Sequence, residues 1–249
     1  MHSALYLALF TASLLGFRHG FDYDHIAAIT DVVSVQGSKR TAMRLGMTYA
    51  LGHALTVALL GSIVIVFGIN LPAGVDRWAE RLVGLTLIIL GIYVLGTLLA
   101  KPSALPKSRY VLLHHGYHRI RRAFKSKLKN GSNSLPSDRQ APTPSFDTRS
   151  VFVIGIVHGL GAETPSQLLI FLLAANLGGA ALGMLGLGMF LVGLLTMNAL
   201  MTASVAGVFG VSRHRPQLLR LVSALTAVYS LAMGIIFLAG RSSLLPAIN

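Results

Sequence analysis

The chain has 249 residues, of which 53% are hydrophobic and only 12% charged, against about 25% charged in an ordinary soluble domain. That balance, with no polar stretch long enough for a separate soluble unit, is the composition of a membrane protein built as one bundle of helices. The formal charge of +13 does not mark a nucleic-acid binder, because most of it sits in a single loop, and the absence of cysteine excludes disulfides and thiolate metal sites.

In chain order, six apolar stretches are long enough to cross about 30 Å of hydrocarbon: roughly 3–35, 41–71, 79–100, 150–176, 179–211 and 217–239. The first lacks a basic leader and a small-residue cleavage site, so it reads as a retained span. The expected fold is an all-α membrane protein of six transmembrane helices. Its three sections are a first three-helix unit (1–100), a basic loop (101–149) and a second three-helix unit (150–249).

Lys and Arg set the orientation. Lys39, Arg40 and Arg44 follow the first span, and Arg213, Arg215 and Arg220 separate the fifth and sixth. The loop between the third and fourth spans carries eleven Lys or Arg against Asp138 and Asp147. The positive-inside rule makes these loops cytoplasmic and both termini extracytoplasmic, in a multi-pass protein of the cell membrane. Within the basic loop, His114, His115 and His118 lie in HHGYHRIRRAFKSKLK. This segment is expected to rest on anionic lipid headgroups as an amphipathic helix, with metal buffering as the alternative.

The two halves echo each other. His19-Gly20-Phe21 with Asp24 is repeated as His158-Gly159-Leu160 with Glu163 at the same spacing, and Arg81-Leu82-Val83 is repeated as Arg220-Leu221-Val222. Three spans precede the inside loop, so the second half enters the membrane from the opposite face. An inverted three-plus-three repeat is expected, with paired polar sites near mid-membrane.

The chemistry is concentrated in Arg18-His19-Gly20-Phe21-Asp22-Tyr23-Asp24-His25, directly after an apolar run. Ionisable groups at membrane depth cost at least a few kcal/mol each and usually line a cavity or transport path. On an ideal helix His19, Asp22 and His25 fall at roughly 0°, 300° and 240°, on one face, with Asp24 near 140° unless Gly20 breaks the regularity. A sulfur-free set of imidazoles and carboxylates suits borderline divalent ions such as nickel, cobalt or zinc. The competing account is a structural polar network with Arg18 paired to Asp22.

This stretch resembles the H-x-x-x-x-D-H signature of the nickel/cobalt permeases, the NiCoT family with its urease-associated nickel permease branch. His19, Asp24 and His25 match it position by position, and the flanking Arg18 and Ile26-Ala27-Ala28-Ile29 match as well. The resemblance implies that these three residues handle the metal. Leu51-Gly52-His53 is similar to the family's second motif, with Ala54 in place of its usual hydroxyl residue, which makes His53 a further candidate ligand. The segment from His158 to Gln167 is closer to the urease-associated branch. There Glu163 is the only acidic residue of the second half's spans and Pro165 interrupts the helix just beyond it, so Glu163 is expected as a ligand or gate. Asp22, His158 and His2 are additional candidates, His2 as an outer capture group beside the amino terminus.

The expected function is therefore a permease carrying nickel, possibly cobalt, inward through a His/Asp site at mid-membrane, with the ion as substrate and no cofactor. No phosphate-binding G-x-x-x-x-G-K-[ST] loop occurs, so nucleotide hydrolysis has no support. The alternatives are a membrane-embedded acyltransferase using a His-Asp pair with four residues between, or a metal exporter or sensor of the same superfamily.

Overall fold

The computed structural model describes residues 2–68, 73–99, 146–161, 178–212 and 215–245, and every regular element among them is helical. In chain order these are α1 (His2–His19), α2 (Tyr23–Ser34), α3 (Lys39–Phe67), α4 (Ala73–Leu99), α5 (Thr148–His158), α6 (Ala180–Ser212) and α7 (Pro216–Leu238), followed by a single 3₁₀ turn at Ser242–Leu244. Four of them are long and apolar enough to cross a membrane: α3, α6, α7 and residues Arg77–Leu99 of α4.

The stretch expected as one first span is two helices. Past His19 the amides of Phe21 and Asp22 turn back three residues, to the carbonyls of Arg18 and His19, which closes α1 in a tightened last turn. Asp22 is then extended (φ −65°, ψ 157°) and becomes the N-cap of α2. Glycine followed closely by an N-capping residue is a helix stop and start signal, and it overrides the unbroken apolarity around it. In the stretch expected as the fourth span, α5 runs only to His158 and ends in a turn at Gly159 and Leu160. The remainder of that stretch and the basic loop lie outside the described residues.

Short α2 sits in the middle and touches α3, α4, α5, α6 and α7. Around it, helices pair through glycine seats. A Cβ on Gly16 would run into the Phe190 carbonyl, and one on Gly193 into that of Ser13, which joins α1 to α6. Gly155 and Gly52 seat α5 on α3 against Tyr49 and Phe152 in the same way, and Gly84 meets Gly234 between α4 and α7. Small residues at these crossings let helix backbones approach closely where lipid supplies no hydrophobic drive.

Polarity is inverted relative to a water-soluble protein. Tyr6, Leu7, Phe10, Leu51, Leu59, Ile63, Ile89, Ile92 and Leu225 are exposed, whereas His19, Asp24, His25, Asp31, His53, His158, Asn198 and Ser230 are buried. An outer surface so apolar belongs in a bilayer, and a polar interior marks a site.

These seats are testable. Gly155→Val should lower stability by about 1–3 kcal/mol through overpacking against the Tyr49 carbonyl, whereas Gly188→Ala, which points into open space, should leave it unchanged. Thermal unfolding in detergent distinguishes the two.

Candidate metal centre

The break between α1 and α2 creates the centre. It leaves His19 as the last residue of α1 and places His25 in the first turn of α2, while His53 comes from the middle of α3. The ring centroids stand 5.0 Å (His19–His25), 5.3 Å (His19–His53) and 4.4 Å (His25–His53) apart. One ligand atom from each of the three lies within 4.8 Å of the others, and all three residues are buried. Phe190 packs against the His19 ring and Tyr49 against that of His25.

Two aspartates set the imidazoles. His19 Nδ1 lies 2.6 Å from Asp22 Oδ2, and His25 Nδ1 lies 3.0 Å from Asp24 Oδ1. A carboxylate only accepts, so in each neutral ring the proton is on Nδ1 and the Nε2 lone pair is left available. A carboxylate behind each imidazole is the arrangement that fixes tautomer and ring direction in metal–histidine sites and raises ligand basicity. Asp22 makes no cap bond to the amides of α2 because its carboxylate is engaged with His19.

His19 Nε2 and His53 Nε2 are 3.2 Å apart. With the His19 proton held at Nδ1, the His53 Nε2–H donates to His19. A divalent ion with metal–nitrogen bonds of about 2.0–2.1 Å in tetrahedral geometry spans about 3.3 Å between two nitrogens, so the two rings stand at ligand spacing, and His53 would bind through Nε2 in the tautomer that carries its proton on Nδ1. Three imidazoles in a dry, sulfur-free setting favour a borderline divalent metal.

Asp24 also faces the second half of the chain. Its Oδ2 is 3.8 Å from His158 Nδ1, the last residue of α5. Thr86 Oγ1 donates to the Val83 carbonyl, so it accepts from His158 Nε2–H at 2.6 Å, and the Tyr49 hydroxyl donates to His158 Nδ1 at 3.0 Å. Both nitrogens of His158 are thus engaged by hydroxyls, and His158 ties α3, α4 and α5 together behind Asp24.

Of the residues singled out from sequence, His19, His25 and His53 converge, with Asp22 and Asp24 directly behind them. His158 is one step further out. His2 begins α1, about 25 Å of helix from His19, and Glu163 lies outside the described residues. Tyr49 and Thr86 were not singled out. Tyr49 carried a signal, sitting one turn before His53, whereas Thr86 had none near it in sequence.

The sequence of residues 5–167, well over half the chain, matches the family described as high-affinity nickel-transport protein, NicO. Among curated relatives, the chain is 25% identical over 175 residues to the cobalt transport protein NhlF of Rhodococcus rhodochrous, covering 66% of this chain and 48% of that protein. It is 27% identical over 166 residues to the high-affinity nickel transport protein of Cupriavidus necator (61% and 44%), and 26% identical over 194 residues to the nickel transporter NixA of Staphylococcus aureus (75% and 56%). The chain therefore spans about half the length of the curated relatives it matches. No solved structure matches it.

The carboxylate–imidazole pairs predict a graded loss of affinity. Asp22→Asn should weaken Co(II) binding by about ten- to a hundredfold, and His53→Ala should weaken it further by removing a donor. Equilibrium titration of purified protein, followed by the visible absorption of Co(II), checks the order. Parental affinity in Asp22→Asn would show that the carboxylate does not support the ligand.

Proposed function

The chain belongs to the high-affinity nickel-transport protein family, and on that premise we propose that it is a permease that moves Ni(II) or Co(II) into the cytoplasm through the three-histidine centre. Membership of a family described as nickel-transport proteins supports a helical, multi-pass membrane transporter over the acyltransferase reading. The observation that carries the proposal is the convergence of three buried imidazoles, two of them backed by carboxylates, inside a bundle whose outer surface is apolar. A purely structural network has no need of three imidazoles gathered with ligand atoms within 4.8 Å of one another. A site that holds a divalent ion does.

His19, His25 and His53 are the ligands in this reading, with Asp22 and Asp24 as their supports. Glu163 is assigned as a ligand or gate contributed by the second half, and His2 as an outer capture group. An inside-negative potential of about 100 mV contributes roughly 4.6 kcal/mol for a divalent cation, enough to drive uptake without nucleotide. The loops rich in Lys and Arg face the cytoplasm and both termini face outward, with the basic loop 101–149 lying against anionic headgroups.

The two halves, 1–100 and 150–249, are proposed to form an inverted repeat. Three features support it. His19 and His158 each end a helix at a glycine, and both ends carry the same sequence of backbone bonds: Gly20 to Gly16, Phe21 to Arg18 and Asp22 to His19 in one, and Gly159 to Gly155, Leu160 to Val157 and Gly161 to His158 in the other. The register that aligns His19 with His158 also aligns Gly16 with Gly155, and these glycines seat α1 on α6 and α5 on α3. The α4–α7 pair brings together the helices that carry the Arg-Leu-Val echo.

Uptake of radiolabelled nickel into proteoliposomes under an inside-negative potential tests the function. The parent should accumulate the ion, and His19→Ala and His25→Ala should fall to background. Glu163→Gln should lose at least about tenfold in rate. Competition by Co(II) should exceed that by Mn(II), which favours oxygen ligands. Equal accumulation by parent and His25→Ala would remove the centre from the transport path.

A further inference from the structure

The three-histidine centre leaves one buried acid unaccounted for. Asp31 lies on α2, six residues and about 9 Å of helix beyond His25. It is 0% exposed, and among the described residues neither carboxylate oxygen has a partner in full hydrogen-bond geometry. Among the described residues no Lys, Arg or His forms an ion pair with it; the only such pairs are His19–Asp22, His25–Asp24 and His158–Asp24. The Ser230 hydroxyl of α7 lies beside Asp31, outside full hydrogen-bond geometry, and it too is 0% exposed with no other partner among the described residues.

Position makes this acid more anomalous. Asp31 is in the last turn of α2, where the helix dipole presents its negative end, and no basic residue shares that turn. A carboxylate there is disfavoured twice, by burial and by the dipole, whereas a cation beside it is favoured by both the carboxylate and the carbonyls. Asp31 also follows Asp24 by seven residues, which places the two on one face of α2, with Ala27 and Ala28 between them. Beyond Asp31 the chain leaves α2 and reaches Lys39 and Arg40, on the cytoplasmic side in the proposed orientation.

We propose that Asp31 and Ser230 form a second, oxygen-lined cation site, through which the transported divalent ion passes on leaving the three imidazoles for the cytoplasm. The inference rests on the permease reading above. Oxygen donors bind Ni(II) and Co(II) less tightly than clustered imidazoles do, as a release site requires. The charge of Asp31 draws the ion from a centre that would otherwise hold it.

The test combines binding and flux on the full-length protein. Titrated with Co(II), the parent binds a tight equivalent with a nitrogen-ligand visible spectrum and a weaker second equivalent. Asp31→Asn keeps the first, with its spectrum, and loses the second. In proteoliposomes Asp31→Asn lowers nickel uptake by about tenfold or more. Ser230→Ala, which keeps the charge and removes only the facing hydroxyl, lowers it by a smaller factor and carries the test should the Asp31 variant fail to fold. Parental uptake and two equivalents in Asp31→Asn overturn the site. So does a variant that exchanges nickel for nickel across the membrane at the parental rate and has lost only uptake driven by a pH gradient, since that identifies a proton-carrying acid. A parent that takes up no ion refutes the permease reading itself, whereas a transporting parent matched by Asp31→Asn refutes only this site.

Discussion

The centre depends on two short contacts, His19 to Asp22 across the break between α1 and α2, and His25 to Asp24 at the start of α2. Each holds a ring proton on the side away from the neighbouring imidazoles, so the remaining lone pairs converge. The break permits this. On a continuous helix the two histidines would be stacked at different heights along one face, about 9 Å apart in rise. With the chain turned at Gly20 their ring centroids come to 5.0 Å. His53 then completes the set from a helix whose position is fixed by the seats of Gly52 and Gly155.

Burial makes these contacts consequential. A carboxylate moved out of water costs several kcal/mol unless it is paired and hydrogen-bonded. Asp24 meets that condition through His25, whose Nδ1–H it accepts, and its other oxygen lies 3.8 Å from His158 Nδ1 at the end of α5. The Tyr49 and Thr86 hydroxyls hold His158 from the far side. Three helices, α3, α4 and α5, thus meet at His158 directly behind Asp24, which sets the second half of the protein beside the proposed centre.

Much of this was legible in the sequence, and the exceptions have physical reasons. The long helices α3, α4, α6 and α7 start and stop within a few residues of the apolar runs, because hydropathy reports what a bilayer demands. His19, Asp22, Asp24 and His25 stood out because four ionisable groups in seven residues have no place in hydrocarbon without a task. The split of the first span was signalled by Gly20 and Asp22 but masked by the apolar residues on either side. Asp24 was expected among the ligands, and its orientation toward His25 Nδ1 could not be read from spacing, since it depends on which side of the ring the chain break leaves open. The His158 partners are separated from it by 109 and 72 residues, and no local pattern encodes such contacts. Asp31 was overlooked although it repeats Asp24 at a helical spacing, because a single acid inside the expected first span belongs to no cluster in the sequence, and only the fold shows its burial.

A permease must bind its ion firmly enough to strip water from it and loosely enough to let it go. Three imidazoles on one rigid helix would meet the first demand and fail the second. In the proposed permease the donors come from α1, α2 and α3, and α1 and α2 are joined by three residues that belong to neither helix. A change of angle at Gly20-Phe21-Asp22 moves His19 relative to His25 and acts directly on the His19–Asp22 contact that spans those residues, whereas the His25–Asp24 pair, both on α2, moves as a unit. On the proposed reading, the affinity of the centre and the ease of opening it share one structural origin, the interruption of the helix between His19 and His25.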